Sequence, residues 1–244
     1  MTNKKSKPKS IPQRSIAGIN RNVVIARSIG ERILSGEFPP GTALPNEAEW
    51  GKAYKASRTA IREALKTLTA KGLILSRPKI GARVEPRSNW NILDREVMEW
   101  HRTAADTAVF IAKTQEARRL FEPAIAELAA TKRTPQQLLR LSAAKIAMEK
   151  AHTVSELIES DLEFHMAMIE AANNDLLVPF GIIIEKALAT LFEFTTTRNP
   201  QFVDALQLHR IIVQKIRARD APGAKQAMIN LLADTDKLIK KPKP

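Results

Sequence analysis

Two groups of residues in this 244-residue chain have types and spacing suited to chemistry. The first is Arg58, Arg62 and Lys66 in the stretch SRTAIREALKTLTAKG at 57–72, four residues apart each time. On a helix they share one face and point outward together. A guanidinium can bond bidentately to guanine O6 and N7, so a cationic helix face of this kind suits a DNA major groove. The second group is Asp161, His165 and His209. Asp161 and His165 lie one helical turn apart, and His209 follows on a later helix that can lie opposite. One carboxylate and two imidazoles suit Zn²⁺, with Ni²⁺ or Mn²⁺ as alternatives. Spacing alone also fits histidines satisfied within a helical core, and both readings stay open at this point.

The local sequence says how the first group is held. Ser57 can cap the cationic helix and Gly72 can close it. Ile61, Leu65 and Leu68 give it an apolar stripe that must pack on something. Before it, residues 21–35 predict a helix with Val24, Ile29, Ile33 and Leu34 inward, ended by the proline pair at 39–40. Asn46 then starts a short helix over 47–54, with Glu49 three residues on as in a capping box. Helix, turn and cationic helix make a helix-turn-helix. Residues 73–75 and 82–84 predict two short strands around a tip carrying Arg77 and Lys79, the wing of a winged helix.

PRSNWN, from Pro86 to Asn91, is turn-prone and marks a boundary. Beyond it the periodicity is helical throughout. Helices are expected at 92–102, 106–132, 135–150, 154–173, 175–196, 202–219 and 221–240. Leu120, Ala124 and Leu128 form one stripe, and Leu162, Met166 and Ile169 another. The expected fold is therefore mainly α: a winged helix-turn-helix followed by an all-α bundle of six or seven helices. The expected domains are a disordered basic arm at 1–20, the DNA-binding domain at 21–86, a linker with its helix at 87–103, and an effector-binding and dimerisation domain at 104–240.

Composition agrees with that division. Residues 1–87 carry 18 Lys+Arg against 6 Asp+Glu, and the remainder 21 against 20, so nearly all of the net +13 sits in the first third. A polyanion-binding module is thus joined to a neutral one. The chain has no cysteine, which excludes thiolate catalysis and cysteine zinc sites and suits a reducing cytoplasm. No apolar run approaches the ~20 residues that span a bilayer, so no membrane partner is expected. The start, MTNKKSKPKSIPQR, lacks the apolar core of a signal peptide.

LPNEAEW, SRTAIREALKTLTAKGLI and GARVEP together resemble the winged helix of GntR-family transcriptional regulators. The helical half resembles the FadR subfamily: Glu116, Arg118 and Glu122 match its E-x-R-x-x-x-E signature, and DLEFHMAMIEAANNDLL at 161–177 a second one. The resemblance implies that Arg58 and Arg62 read operator guanines, that Thr59 bonds phosphate from the helix start, and that Ser57, Lys66 and Lys79 belong to the same interface. Many relatives carry an arginine where this chain has Ala48. The resemblance also favours a metal on Asp161, His165 and His209. A fourth ligand, a histidine in the last helix, would fall at Leu231. Asn230 and Asp234 are close in sequence but are expected off the Leu231 direction. The site then has at most three ligands from these positions and keeps coordination open for water or an effector.

Arg118 and Asn174 are the implied effector contacts, Arg118 pairing with a small carboxylate. The residue-level alternatives are an ion pair of Arg118 with Glu122 and a helix-capping role for Asn174. The linker PRSNWNILDREVMEW is similar to that of regulators answering to sugar acids, which makes a sugar acid the favoured effector over an aromatic acid or a larger carboxylate. The expected protein is a cytoplasmic homodimeric repressor of a catabolic operon that binds a palindromic double-stranded DNA operator and is released by its effector. Two other classes compete. A metal-dependent hydrolase would use the same open metal site, but H-E-x-x-H, a phosphate-binding glycine loop and a nucleophile–base pair are all missing. A constitutive DNA-binding protein would use the helical half for dimerisation only.

Overall fold

The computed structural model describes residues 21–77, 81–195 and 203–240. The basic arm at 1–20 and Lys79 lie outside the described residues. α1 (Arg21–Leu34), α2 (Glu47–Tyr54) and α3 (Arg58–Ala70) precede an antiparallel hairpin of β1 (Ile74–Arg77) and β2 (Gly81–Val84), with Ile74 opposite Val84. Asn46 accepts from the backbone N–H groups of Ala48 and Glu49, and Glu49 answers with its carboxylate on the Asn46 N–H, completing the capping box. Ser57 accepts from the Ala60 N–H and starts α3. Gly72, at φ +72°, turns the chain out of α3, while the Leu73 N–H returns to the Leu68 carbonyl. An added Cβ at Gly72 would lie 2.1 Å from the Asn89 carbonyl oxygen, so only glycine fits there.

Ile25, Ile29 and Ile33 of α1, Trp50 of α2 and Ile61, Leu65 and Leu68 of α3 close one core with Leu73, Ile74 and Val84 of the wing. Val24, expected inward, is 48% exposed. The buried face of α1 runs instead through Ile25, Ala26, Ile29 and Ile33, and Val24 falls outside that stripe.

α4 (Arg95–Ala104) is capped by Asp94 and belongs by packing to the winged helix: Val97 and Trp100 lie in the same core, and the Trp100 ring covers Gly30 of α1. Trp90 is also buried there, its indole N–H donating to the Glu85 carbonyl. The remaining helices are α5 (Thr107–Lys132), α6 (Pro135–Lys150), α7 (Val154–Ala171), α8 (Gly181–Thr195), α9 (Val203–Arg217) and α10 (Ala221–Lys240). They enclose a second core rich in Ala, Ile, Leu and Met.

Two expectations about this half need correction. The segment 175–196 is not one helix: Asp175–Phe180 forms a 3-10 turn containing Pro179, which cannot donate a helical hydrogen bond, and α8 begins only at Gly181. The Leu120–Ala124–Leu128 stripe of α5 is not a core face: Leu120 is 78% exposed and Ala124 is exposed too, and only Leu128 packs, partly buried, against the second core. The inward face of α5 carries Gln115, Arg118 and Glu122 alongside Ile111, Ile125 and Ala126, and apolar periodicity cannot mark a face that is partly charged.

Candidate metal and effector site with its DNA-facing groove

α5, α7 and α9 bring five ionisable side chains into the bundle, all essentially buried: Arg118, Glu122, Asp161, His165 and His209. Arg118 Nε donates to Glu122 Oε1 at 2.5 Å, and its Nη1 donates to Gln115 Oε1 at 3.0 Å. The other Glu122 oxygen lies 2.9 Å from His165 Nδ1. Burial alone would raise the Glu122 carboxyl, but the charge of Arg118 and the contact with His165 hold it at about 2. It is an anion that orients the His165 ring. On the far side of that ring, Nε2 is 3.6 Å from Asp161 Oδ1. His209 repeats the arrangement: its Nδ1 is 2.7 Å from the Ala205 carbonyl, which can only accept, and its Nε2 is 3.0 Å from the same Asp161 oxygen.

Both rings therefore have Nδ1 turned toward an acceptor, and in the neutral ring with its proton there that leaves a lone pair on Nε2 facing a carboxylate oxygen. Asp161 is an anion as well: burial would raise its carboxyl, yet His209, His165 and Arg118 hold it below the ordinary carboxylate range. Asp161 Oδ1, His165 Nδ1, His209 Nε2 and Glu122 Oε2 are all out of contact with water. Although His209 Nε2 and Asp161 Oδ1 are only 3.0 Å apart, the two are not aligned for a hydrogen bond. A His209 Nε2 lone pair and a carboxylate oxygen facing each other without a donor repel unless a cation lies between them. One ligand atom from each of Asp161, His165 and His209 falls within 4.8 Å of the others. Imidazoles oriented through Nδ1 by a carboxylate and a carbonyl have the outer-shell support that metal-ligating histidines have. The donor set fits a divalent cation.

A cavity of about 50 Å³ opens beside the three candidate ligand residues. Arg118 lines it, so its pairing with Glu122 and a position facing the cavity coexist. Its walls come from Met148, Leu157, Leu188, Leu206 and Leu231. Asn174 does not line it: the Asn174 carboxamide oxygen accepts from the Leu176 N–H and caps the 3-10 turn. This is the capping role that the sequence offered beside an effector contact. Asp234 and Thr235 do line it. Asp234 was expected off the Leu231 direction, but residues three and four further along a helix share its face.

In the first core, Ser57, Arg58, Thr59, Arg62 and Lys66 are all exposed on α3. Arg58 and Arg62 line an open groove with Ala48 of α2 and Arg77 of the wing. Glu47 is the residue that sequence reasoning passed over: Arg62 Nε donates to both its carboxylate oxygens at 2.9 Å. Lys66 pairs with Glu63 at 2.9 Å.

Residues 22–84 match the family described as bacterial regulatory proteins of the gntR type, and residues 114–234 match the FCD domain. The HTH-type transcriptional regulator YieP of Escherichia coli (strain K12), itself uncharacterised, is 39% identical over 228 residues, covering 92% of this chain and 98% of that protein. The chain belongs to the GntR family. Its helical half is the FCD domain, as the quoted signatures imply. The galactonate operon transcriptional repressor of the same bacterium is 32% identical over 91% of this chain and 98% of its own length. The transcriptional repressor NanR of Cronobacter sakazakii is 27% identical over 90% of this chain and 85% of its own. Lar, which controls expression of the Listeria monocytogenes agr system, shares the fold, with a TM-score of 0.52, 17% identity and coverage of 93% and 98%. These relatives are transcriptional regulators, not enzymes, which removes the hydrolase reading. Among the described residues no helix is long and apolar enough to cross a membrane.

Proposed function

We propose that this GntR-family chain is a ligand-responsive repressor, acting in the cytoplasm, that holds a palindromic operator as a homodimer. A small carboxylate bound beside a divalent metal in the FCD domain releases it. The observation that carries this reading is the convergence of buried ligand atoms from Asp161, His165 and His209 within 4.8 Å of one another, beside a cavity that Arg118 also lines. A bound cation, zinc before nickel or manganese, would supply a Lewis acid for one carboxylate oxygen. Arg118 offers its guanidinium to the other and holds the acid in register. Similarity to the galactonate operon repressor supports a sugar acid, ahead of aromatic or larger carboxylates. On the DNA side, Arg58 and Arg62 reach guanine edges, Ser57 and Thr59 approach phosphate from the start of α3, and Lys66 adds charge. A two-fold dimer sets two such helices on half-sites one helical turn apart.

The cavity has room for only a few waters, so an acid of several carbons must widen it. Leu188 of α8 is in its wall, and one turn back Glu185 and Lys186 pair with Arg95 and Glu99 of α4. Widening the cavity by displacing α8 therefore pulls on the helix that packs with the winged helix.

The test begins with an operator selected from a random duplex pool and followed by fluorescence anisotropy. Wild-type protein carries stoichiometric metal by elemental analysis and releases the operator on adding one of a panel of sugar, hydroxy and aromatic acids. The His165→Ala/His209→Ala variant carries no metal, binds the operator and no longer releases it. Operator binding that ignores every acid, in a protein purified without metal, refutes the reading and leaves a constitutive DNA-binding protein.

A further inference from the structure

Resting on the effector reading above, we infer that Asp234 sets the effector class: it selects acids that bear hydroxyl groups and a single carboxylate, and rejects dicarboxylates. Asp234 lies on α10, one turn beyond Leu231, and lines the same cavity as the bundle's buried cation, Arg118. It is half-buried and makes no hydrogen bond or ion pair with any described residue. Its acidic neighbour Asp236, by contrast, is engaged by Arg119 at 2.7 Å. A carboxylate partly removed from water and left without a donor is poised to accept from whatever fills the cavity. Beside it the Thr235 hydroxyl donates to the Leu231 carbonyl at 3.1 Å, which leaves its oxygen free to accept too. The α10 wall thus presents acceptors and asks for donors, while Arg118, and a cation if Asp161, His165 and His209 hold one, would present the opposite polarity.

An acid fits this arrangement with its carboxylate toward Arg118 and a hydroxyl toward Asp234. The hydroxyl donates to a charged acceptor, the stronger kind of hydrogen bond. A second carboxylate at that end would face Asp234 as a like charge in a partly dry site and would be rejected. A plain alkyl chain would leave Asp234 dry and without a donor. Among acids of one length, the hydroxylated monoacid is preferred over both.

The test uses the full-length, metal-loaded protein and three six-carbon probes: galactonate, galactarate and hexanoate. Wild type binds galactonate in calorimetry, and galactarate and hexanoate at least tenfold more weakly. Asp234→Asn, which keeps the shape and removes the charge, weakens galactonate about tenfold, as expected for losing a hydrogen bond to a charged group, and narrows or inverts the gap to galactarate. Hexanoate changes little or improves. Metal content stays at the wild-type level in the variant; loss of metal would make Asp234 a ligand to the ion and overturn the proposal. Unchanged galactonate affinity with galactarate still excluded overturns it as well, as does a wild type that prefers the diacid. Failure of the underlying reading looks different: none of the three probes binds, and Arg118→Met changes nothing for any acid.

Discussion

Glu122→Gln separates a metal-supporting role from mere core packing. Glu122 is fully buried between Arg118 Nε at 2.5 Å and His165 Nδ1 at 2.9 Å, with no water to replace a lost partner. Glutamine has the same shape but offers one acceptor and one donor. The acceptor goes to Arg118, which can only donate, so the amide N–H₂ faces His165 Nδ1. Two donors cannot face each other there, and the ring must move its proton to Nε2. That places an N–H where a lone pair had pointed at Asp161, and His165 ceases to be a ligand. Loss of such an outer-shell partner costs ~10–100-fold in metal affinity, and a true tautomer switch falls at the upper end. The metal-free protein also loses stability, because Arg118 keeps its charge in a dry site with its anion removed; breaking one side of a buried pair costs about 3–5 kcal/mol. Competition against a chromophoric chelator reads the first quantity, and urea unfolding of the stripped protein the second. Zinc affinity within twofold of wild type would refute the orienting role. A loss of stability below ~1 kcal/mol would show that the pair is solvated.

Arg62→Ala should reduce discrimination for the operator's guanine by ~1–3 kcal/mol while leaving weak, salt-sensitive binding to any duplex; equal losses on specific and random DNA would remove Arg62 from base reading. Gly30→Ala should destabilise the winged helix by ~1–3 kcal/mol through overpacking, since the new Cβ would lie 2.4 Å from the Trp100 ring; a neutral effect on thermal unfolding would show that Trp100 can step aside. For pH, Asp94 caps α4 and meets Lys71 Nζ at 2.7 Å. Burial would raise its carboxyl, but Lys71 and the Val97 N–H lower it below its ordinary value. A depressed carboxyl stabilises fully above its unfolded value and loses that contribution as pH falls through the folded one. Acid unfolding followed by tryptophan fluorescence should therefore begin below about pH 4 and lose this component in Asp94→Asn; an identical acid limb in the variant would count against it. Glu185→Gln should loosen the hold of α8 on α4 and weaken effector-driven release of operator without changing effector affinity more than severalfold, and full release with unchanged coupling would place the connection elsewhere.

The winged helix was legible because each of its devices is local. The Asn46 capping box, the Ser57 cap, the Gly72 turn and the Ile61–Leu65–Leu68 stripe are each encoded within a few residues, and the structure shows all of them. The three candidate ligand residues were legible as a one-turn pair plus a distant histidine, and the fold brings one ligand atom of each within 4.8 Å of the others. What escaped depends on partners far apart in the chain. The polar inner face of α5 exists only because Gln115, Arg118 and Glu122 satisfy one another and His165, so apolar counting put Leu120 inside. Glu47 was noticed only as part of a motif; its grip on Arg62 crosses 15 residues and a turn. Asp234 was set aside although one helical turn carries it from Leu231 onto the same wall.

The magnitudes at the two ends of α4 say where the protein bends. Toward the winged helix, Trp100 is buried against a glycine whose Cβ would not fit, and Lys71 is 2.7–2.8 Å from both Asp94 and Glu96 with little exposure of its own. Close packing of that kind does not shear by small amounts. Toward the FCD domain, the contacts include the Arg95–Glu185 and Lys186–Glu99 pairs, partly exposed, the edge-on His101–Phe110 ring pair, and a small cluster of Met98, Phe110 and Ile182. Partly exposed pairs contribute about 0–1 kcal/mol each. An effector needs only ~1–3 kcal/mol of differential affinity to shift operator occupancy, which is the scale of that junction and well below that of the Trp100 contact. So α4 should travel with α1 and α3 as one body, and the hinge should lie between α4 and α8, one helical turn from the cavity wall.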